Sequence, residues 1–201
     1  LMHEEGIKVS LNKAVQKVDI KNGKAVGVIL KSGEIKSADI VVSNADAAYL
    51  YSSMIDRKDK SISVQIKTKY AQFSMGLYVL YFGTTKQYTD VEHHTIWLGK
   101  RYEALLDDIF HKQILADDFS LYLHRPTATD PSFAPEGCDS FYVLAPVPNQ
   151  QGEIDWKVEG PKLRDKIVKA LSDTILPDLE NTITADFFKT PDDFEQDYSS
   201  V

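Results

Sequence analysis

The first third of the chain has apolar residues at every second position over 7–11 and 26–30, and a further segment with apolar residues at 15, 18 and 20 lies between them. Alternation with a period of two buries one face of a β-strand, so each segment predicts a strand. Asn22-Gly23 separates the second and third segments, and this pair favours the two positive φ angles of a type I′ hairpin turn. The pattern therefore predicts a β-meander. A nearly continuous apolar run at 38–42 predicts a further strand that is covered on both faces.

The rest of the chain predicts a second layer of strands and helices. Asp46 is expected to cap a short helix that ends near residue 55. After a polar and basic stretch at 56–69, strands are expected at 73–82, 95–98, 119–124, 140–147 and 183–188, with amphipathic helices at 102–110 and 163–175. The expected fold class is α/β in the broad, α+β-like sense: a meander followed by a mixed or antiparallel sheet with two long helices. The basic stretch predicts a solvated linker and a domain boundary, which divides the chain into 1–56 and 57–201.

Composition excludes several classes of protein. The net charge of -7 argues against a nucleic-acid partner, because phosphate binding needs a basic surface. No run approaches the roughly 20 apolar residues that cross a bilayer. The single cysteine, Cys138, excludes an internal disulfide framework and is expected to be a passive loop residue. Both ends look interrupted, since 1–6 resembles the last turn of a helix and 192–198 stops without a terminal element. We expect both to be cut from a longer chain.

Three sets of polar residues are candidates for functional sites. The carboxylate pairs at 107–108, 117–118 and 192–193 are expected to be solvated or capping, because adjacent helix positions point in different directions. His93-His94 and His124 are the candidate metal ligands. Neighbouring strand positions face opposite sides of a sheet, so no metal site is expected. Arg125 ends a predicted strand, where it either projects into a cleft or bonds nearby carbonyls and acids.

The aromatic strand at 73–82 leaves two interpretations open. Its members are Phe73, Met75, Leu77, Tyr78, Val79, Leu80, Tyr81 and Phe82. They predict either an ordinary core strand or one wall of an apolar tunnel, which would explain large side chains on both faces.

Two parts of the chain resemble known groups of flavoproteins. The sequence GEIKSADIVVSNAD at 33–46 is similar to the element that returns the chain toward FAD in amine-oxidase-like flavoproteins. The sequences FSMGLYVLYFGT at 73–84, ADDFSLYLHRPT at 116–127 and YVLAPVP at 142–148 resemble bacterial phytoene desaturases, and this likeness covers nearly the whole chain.

The resemblance implies an FAD-dependent enzyme of carotenoid biosynthesis that introduces double bonds into a long polyene such as phytoene. It implies a cytoplasmic protein that is peripheral to the inner membrane, with 1–56 as part of the FAD domain and 57–201 as the substrate domain. The dinucleotide fingerprint GxGxxG is not in this sequence. This chain alone is therefore expected neither to bind FAD tightly nor to be active.

The resemblance also implies site residues, although no catalytic residue. The cofactor set is Val15, whose backbone would contact the adenine, with Asn44, Ala45 and Asp46. The substrate set is Phe73, Met75, Leu77, Tyr81 and Arg125. Arg125 would either stabilise negative charge on the reduced flavin or pin the 127–139 loop by pairing with an acid such as Asp130. The alternatives are another amine-oxidase-like flavin oxidoreductase, such as a retinol or polyprenyl saturase, and a non-enzymatic module that binds an apolar ligand.

Overall fold

The architecture comes from a computed structural model that describes residues 1–199. These residues form two compact units, 1–72 and 73–197. The strands make two separate antiparallel sheets, one of three strands and one of five. The expected α+β class is therefore confirmed, and of the two sheet types expected the antiparallel one is observed. The division of the whole protein into domains at residues 56 and 57 stays a prediction.

The first unit is a β-meander that contains two of the three strands expected for it, those at 15–20 and 26–30. Its strands are β1 (Val15–Lys21), β2 (Lys24–Leu30) and β3 (Ile35–Ser37), paired in that order. Asn22 and Gly23 take φ angles of 53° and 75°, as the hairpin turn requires. Asp46 accepts a hydrogen bond from the Tyr49 amide at 2.9 Å and so caps α1 (Ala47–Tyr49), which continues as a wider turn over Leu50–Met54.

Three expectations for the first unit are wrong. Residues 7–11 and 38–42 are not strands, and their apolar side chains are open to solvent: Leu11 is 78% exposed and Val42 is 88% exposed. A strand exists only when a neighbour satisfies its backbone groups, and neither segment is paired in a sheet among residues 1–199, although the Ala38 amide donates to the Val26 carbonyl at 3.0 Å. The basic stretch is not a linker, because Ser61 caps helix α2 (Ile62–Lys69) within it.

Gly27 in β2 lies very close to the backbone of β3. A Cβ added there would collide with the carbonyl oxygen of Lys36 in β3 and lie 2.9 Å from the Cα of Ser37. We expect Gly27→Ala to destabilise the meander by about 1–3 kcal/mol, because two backbone segments must separate. Hydrogen exchange of the β2 and β3 amides measures this loss. Gly83→Ala is the control, since its Cβ would meet the Thr184 hydroxyl at 3.5 Å and the Asp139 carbonyl oxygen at 3.9 Å, both ordinary contact distances. Unchanged exchange in the Gly27 variant would contradict the prediction.

The second unit is a five-stranded sheet with helices. Its strands are β4 (Gly76–Thr84), β5 (His94–Trp97), β6 (Leu121–His124), β7 (Asp139–Val147) and β8 (Ile183–Lys189), in the order β5-β6-β7-β4-β8. Its helices are α3 (Tyr102–Asp107), which widens over Asp108–Lys112, α4 (Trp156–Ser172), α5 (Leu179–Thr182) and α6 (Pro191–Tyr198). Helix α6 corrects the expectation that residues 192–198 lack a terminal element.

One face of this sheet and helix α4 form the main core. Alternate residues of β4 and β7, such as Leu80 and Val143, are fully buried in one cluster with Ile167 and Leu171 of α4. The Tyr78 hydroxyl donates a hydrogen bond to the Gly160 carbonyl at 2.9 Å and so joins β4 to α4. Between residues 1 and 199, no helix is both long and apolar enough to cross a membrane.

Candidate apolar face and histidine cluster

The second face of the five-stranded sheet is apolar but only partly covered. Residues of β4 alternate between the two faces, so that Leu77 and Tyr81 lie opposite the α4 side and are half-buried. The even-numbered positions of β7, including Tyr142 and Leu144, are also half-buried. In β8, Phe187 is 57% exposed. Large apolar groups therefore lie on both faces of the central strands, and several of those opposite α4 are only half-buried.

The register places five aromatic rings in a line across this face. Each ring belongs to a residue directly opposite the next one in the ladder: His94, His124, Tyr142, Tyr81 and Phe187. The successive ring centroids are 5.2, 4.6, 5.9 and 4.7 Å apart. We call these five side chains the aromatic row. Four steps between strands of about 4.8 Å make it roughly 19 Å long.

A groove of about 380 Å³ runs beside one end of the aromatic row. Its lining includes Tyr81, Tyr142, Phe187 and Pro126. Apolar grooves of this size that are lined by aromatic side chains are typical of sites for apolar ligands.

Four of the five predicted substrate residues lie in β4 or just before it. Leu77 and Tyr81 are on the partly covered face, whereas half-buried Phe73 and exposed Met75 precede the strand. The sequence interpretation missed Tyr142 and Phe187. Alternation within 140–147 and 183–188 would have grouped them with Tyr81, but only if the pairing of the strands were known.

Arg125 is buried at the end of β6, away from the aromatic row. Its side chain is 7% exposed, and its Nε donates to the Asp139 carboxylate at 2.8 Å. Its Nη1 donates to the Val91 carbonyl at 2.9 Å. Thr127 and the Tyr88 amide also donate to Asp139, at 2.6 and 2.7 Å. The pairing acid is therefore Asp139, which closes the 127–139 loop, and not Asp130, whose carboxylate caps the turn at Pro131–Phe133.

The predicted cofactor residues lie in the first unit. Val15 begins β1 opposite Leu30, and Asn44 and Ala45 are exposed just before the capping residue Asp46. The carboxylate of Asp46 is already engaged as a helix cap.

Three histidines converge at the β5 end of the aromatic row. His93, His94 and His124 each offer a ring nitrogen, and these atoms lie within 4.8 Å of one another. Burial, followed by the nearby His93 and His94 charges, lowers the pKa of His124. The expectation that His93 and His94 face opposite sides is wrong, because His93 lies in a bend before β5 and its ring centroid is 4.4 Å from that of His94.

A second groove in the 73–197 unit is lined by ion-paired side chains and by no member of the aromatic row. It measures about 690 Å³, and its walls include Trp97, Phe119 and Arg101. Arg101 donates to Asp108 at 2.7 Å. Asp108 is buried, which corrects the expectation that the 107–108 pair is solvated; Lys112 also donates to it at 2.7 Å. Two cations thus satisfy the carboxylate of Asp108.

Sequence comparison gives closely similar relatives over almost the whole chain. The neurosporene-forming phytoene desaturase of Rhodobacter capsulatus is 41% identical over 98% of this chain and 39% of the relative. The lycopene-forming phytoene desaturase of Pantoea ananas is 40% identical over 96% of this chain and 40% of the relative. Over the stretch that it shares with them, the chain is similar in sequence to phytoene desaturases. The resemblance in the sequence motifs is thereby confirmed.

The likeness extends to a more distant phytoene-desaturase relative and to solved folds. A 4,4'-diapophytoene desaturase of Methylomonas is 32% identical over 96% of this chain and 38% of the relative. The chain thus spans about two fifths of the curated relatives it matches. No family model matches it. An oxidoreductase from Methanosarcina mazei shares the fold, with a TM-score of 0.63 at 18% identity over 94% of this chain and 39% of that one.

Proposed function

We propose that this chain is part of an FAD-dependent desaturase that introduces double bonds into a long apolar carotenoid precursor such as phytoene. Its role there is to supply one wall of the polyene site. The observation that carries the proposal is the aromatic row, which lies across a face that is apolar and half-open. The names of the phytoene desaturase relatives give the class of substrate.

The chemistry of a polyene matches this face. A hydrocarbon offers no group for hydrogen bonding, so its site has to be long, apolar and free of unpaired charge. The row runs perpendicular to the strands because ladder partners repeat at each strand, and Leu77 and Leu144 flank it with aliphatic surface. Arg125 does not contradict this apolar wall, because its charge is paired with Asp139. We propose that Arg125 holds the 127–139 loop beside the groove.

The redox step belongs to the cofactor. FAD, when bound, would supply the hydride-accepting chemistry, and the residues of this chain would orient the polyene and exclude water. We propose that Val15 and residues 44–46 contact the cofactor at its edge, with the pyrophosphate held by a glycine-rich turn that this sequence lacks. A peripheral position on the cytoplasmic side of the membrane is part of the same proposal, since the substrate dissolves in lipid.

The test is activity of the whole protein that contains this chain. The complete reading frame is expressed in cells that accumulate phytoene, and extracted carotenoids are separated by chromatography. We expect products with more conjugated double bonds than phytoene, and a flavin that co-purifies with the protein. A folded protein that retains no flavin and leaves phytoene unchanged would exclude the desaturase.

Shortening the row is expected to weaken substrate binding more than folding. Tyr81→Ala and Phe187→Ala each remove one ring from the wall, and we expect the KM for the polyene to rise on the order of tenfold. Phe110→Ala is the matched control, because Phe110 is 45% exposed and outside the row. Steady-state kinetics on lipid-dispersed phytoene measure the change. Equal KM values for Phe187→Ala and Phe110→Ala would contradict the assignment of this face.

A further inference from the structure

The histidine cluster has the geometry of a cation site. His94 in β5 and His124 in β6 are directly opposite each other, so their rings share one face. His93 precedes β5, and its backbone carbonyl accepts a hydrogen bond from the Arg125 amide at 2.9 Å. His93 Nε2 and His124 Nε2 lie 2.7 Å apart and share a hydrogen bond. The three rings are therefore positioned by backbone pairing and not by chance contact of flexible side chains.

We infer that His93, His94 and His124 form a binding site for a divalent late-transition-metal ion such as Zn²⁺. Tetrahedral zinc with bonds of about 2.0–2.1 Å needs ligand nitrogens about 3.4 Å apart. The ring nitrogens already lie within 4.8 Å of one another, so small rotations complete the set. The ion takes the place of the proton between His93 and His124. Three protein ligands leave the fourth position open to water or another ligand.

The outer hydrogen bonds support this assignment. His94 Nδ1 pairs with the Tyr122 hydroxyl at 2.6 Å, and His93 Nδ1 pairs with the Thr129 hydroxyl. Metal-binding histidines commonly use their second nitrogen in this way, which fixes the ring and directs the first nitrogen at the ion. His124 Nδ1 is buried and has no hydrogen-bond partner among residues 1–199. His93 and His94 therefore have the outer hydrogen bond of a metal-binding histidine, and His124, which faces His93 through Nε2, has none.

The ligand type selects the ion. Imidazole nitrogens favour Zn²⁺, Cu²⁺ and Ni²⁺, whereas Mg²⁺ and Ca²⁺ prefer oxygen ligands. Among residues 1–199, no other group of three or more potential ligands converges in this way. The site does not depend on desaturation, because flavin chemistry on a hydrocarbon needs no divalent cation. His94 and His124 also belong to the aromatic row, so zinc binding is measured separately from desaturation, and the failure of one test is distinguishable from the failure of the other.

The whole protein, purified without a histidine tag and stripped with EDTA, is titrated with Zn²⁺ against a chromogenic chelator. We expect one equivalent to bind at this site with micromolar or tighter affinity. His93→Ala, His94→Ala and His124→Ala are each expected to weaken that equivalent on the order of 100-fold, because each removes one of three ligands. Tyr122→Phe should weaken it about tenfold by releasing the His94 ring. Mg²⁺ in large excess should not compete.

His111→Ala is the matched control, because His111 is an exposed histidine that pairs with Asp107 outside the cluster. It should retain the full affinity. Circular dichroism in EDTA checks that each variant folds, and X-ray absorption of the zinc-loaded wild-type protein counts its imidazole ligands without any variant. A wild-type protein whose zinc binding equals that of His94→Ala, or whose zinc has fewer than three imidazoles, would overturn the inference.

Discussion

Arg125→Ala is expected to lower the free energy of unfolding of the 73–197 unit by about 3–5 kcal/mol, because it leaves Asp139 as a buried charge without its partner. The Asp139 side chain is 0% exposed, so water cannot replace the guanidinium. The Val91 carbonyl would lose its donor as well. Both tryptophans, Trp97 and Trp156, lie in this unit, so their fluorescence during urea unfolding reports on it directly.

Two further variants separate the effect of the Arg125 charge from that of the hydrogen bonds made by its guanidinium group. Arg125→Lys keeps the charge but cannot reach Asp139 and Val91 together, so we expect an intermediate loss of about 1–2 kcal/mol. Lys169→Ala is the control, because Lys169 pairs with Asp173 on an exposed helix surface and should leave the unfolding midpoint unchanged. An Arg125→Ala midpoint equal to that of the control would show that the buried pair does not hold the loop.

Local patterns predicted those elements whose partners lie in the same unit. The hairpin at Asn22-Gly23 needs only two residues to specify its turn, and the strands predicted at 73–82 and 140–147 are paired as β4 and β7, although β4 begins at Gly76. The runs at 7–11 and 38–42 have the composition of strands but are not paired in a sheet among residues 1–199. Composition shows that a segment suits a sheet, whereas the hydrogen-bonding partner decides whether a strand forms.

The candidate sites depended on register, which no local pattern contains. His94 and His124 are far apart in the sequence and become neighbours because β5 pairs with β6 in one alignment. A shift of one residue would turn one of them to the opposite face. The same holds for Tyr81 and Phe187 in the aromatic row. The residue types therefore indicate some members of each site, but only the pairing of the strands shows which of them lie next to each other.

Leu80→Ala and Leu77→Ala compare the two faces of one strand with the same substitution. Leu80 is fully buried against the α4 core, so its truncation should cost about 2–5 kcal/mol through lost burial and a cavity. Leu77 is half-buried on the opposite face, and its truncation should cost about 1 kcal/mol or less. Tryptophan fluorescence during urea unfolding measures both.

The effects of these two substitutions on KM should have the opposite order to their effects on stability. Leu77→Ala enlarges the proposed polyene wall, so the KM of the whole protein should rise although the fold is retained. Leu80→Ala leaves that wall in place and should change KM little at temperatures where the protein stays folded. Equal stability losses for the two variants would mean that the second face is packed as tightly as the first. A face packed in that way has no room for a polyene, because close-packed interiors leave few voids larger than a water molecule.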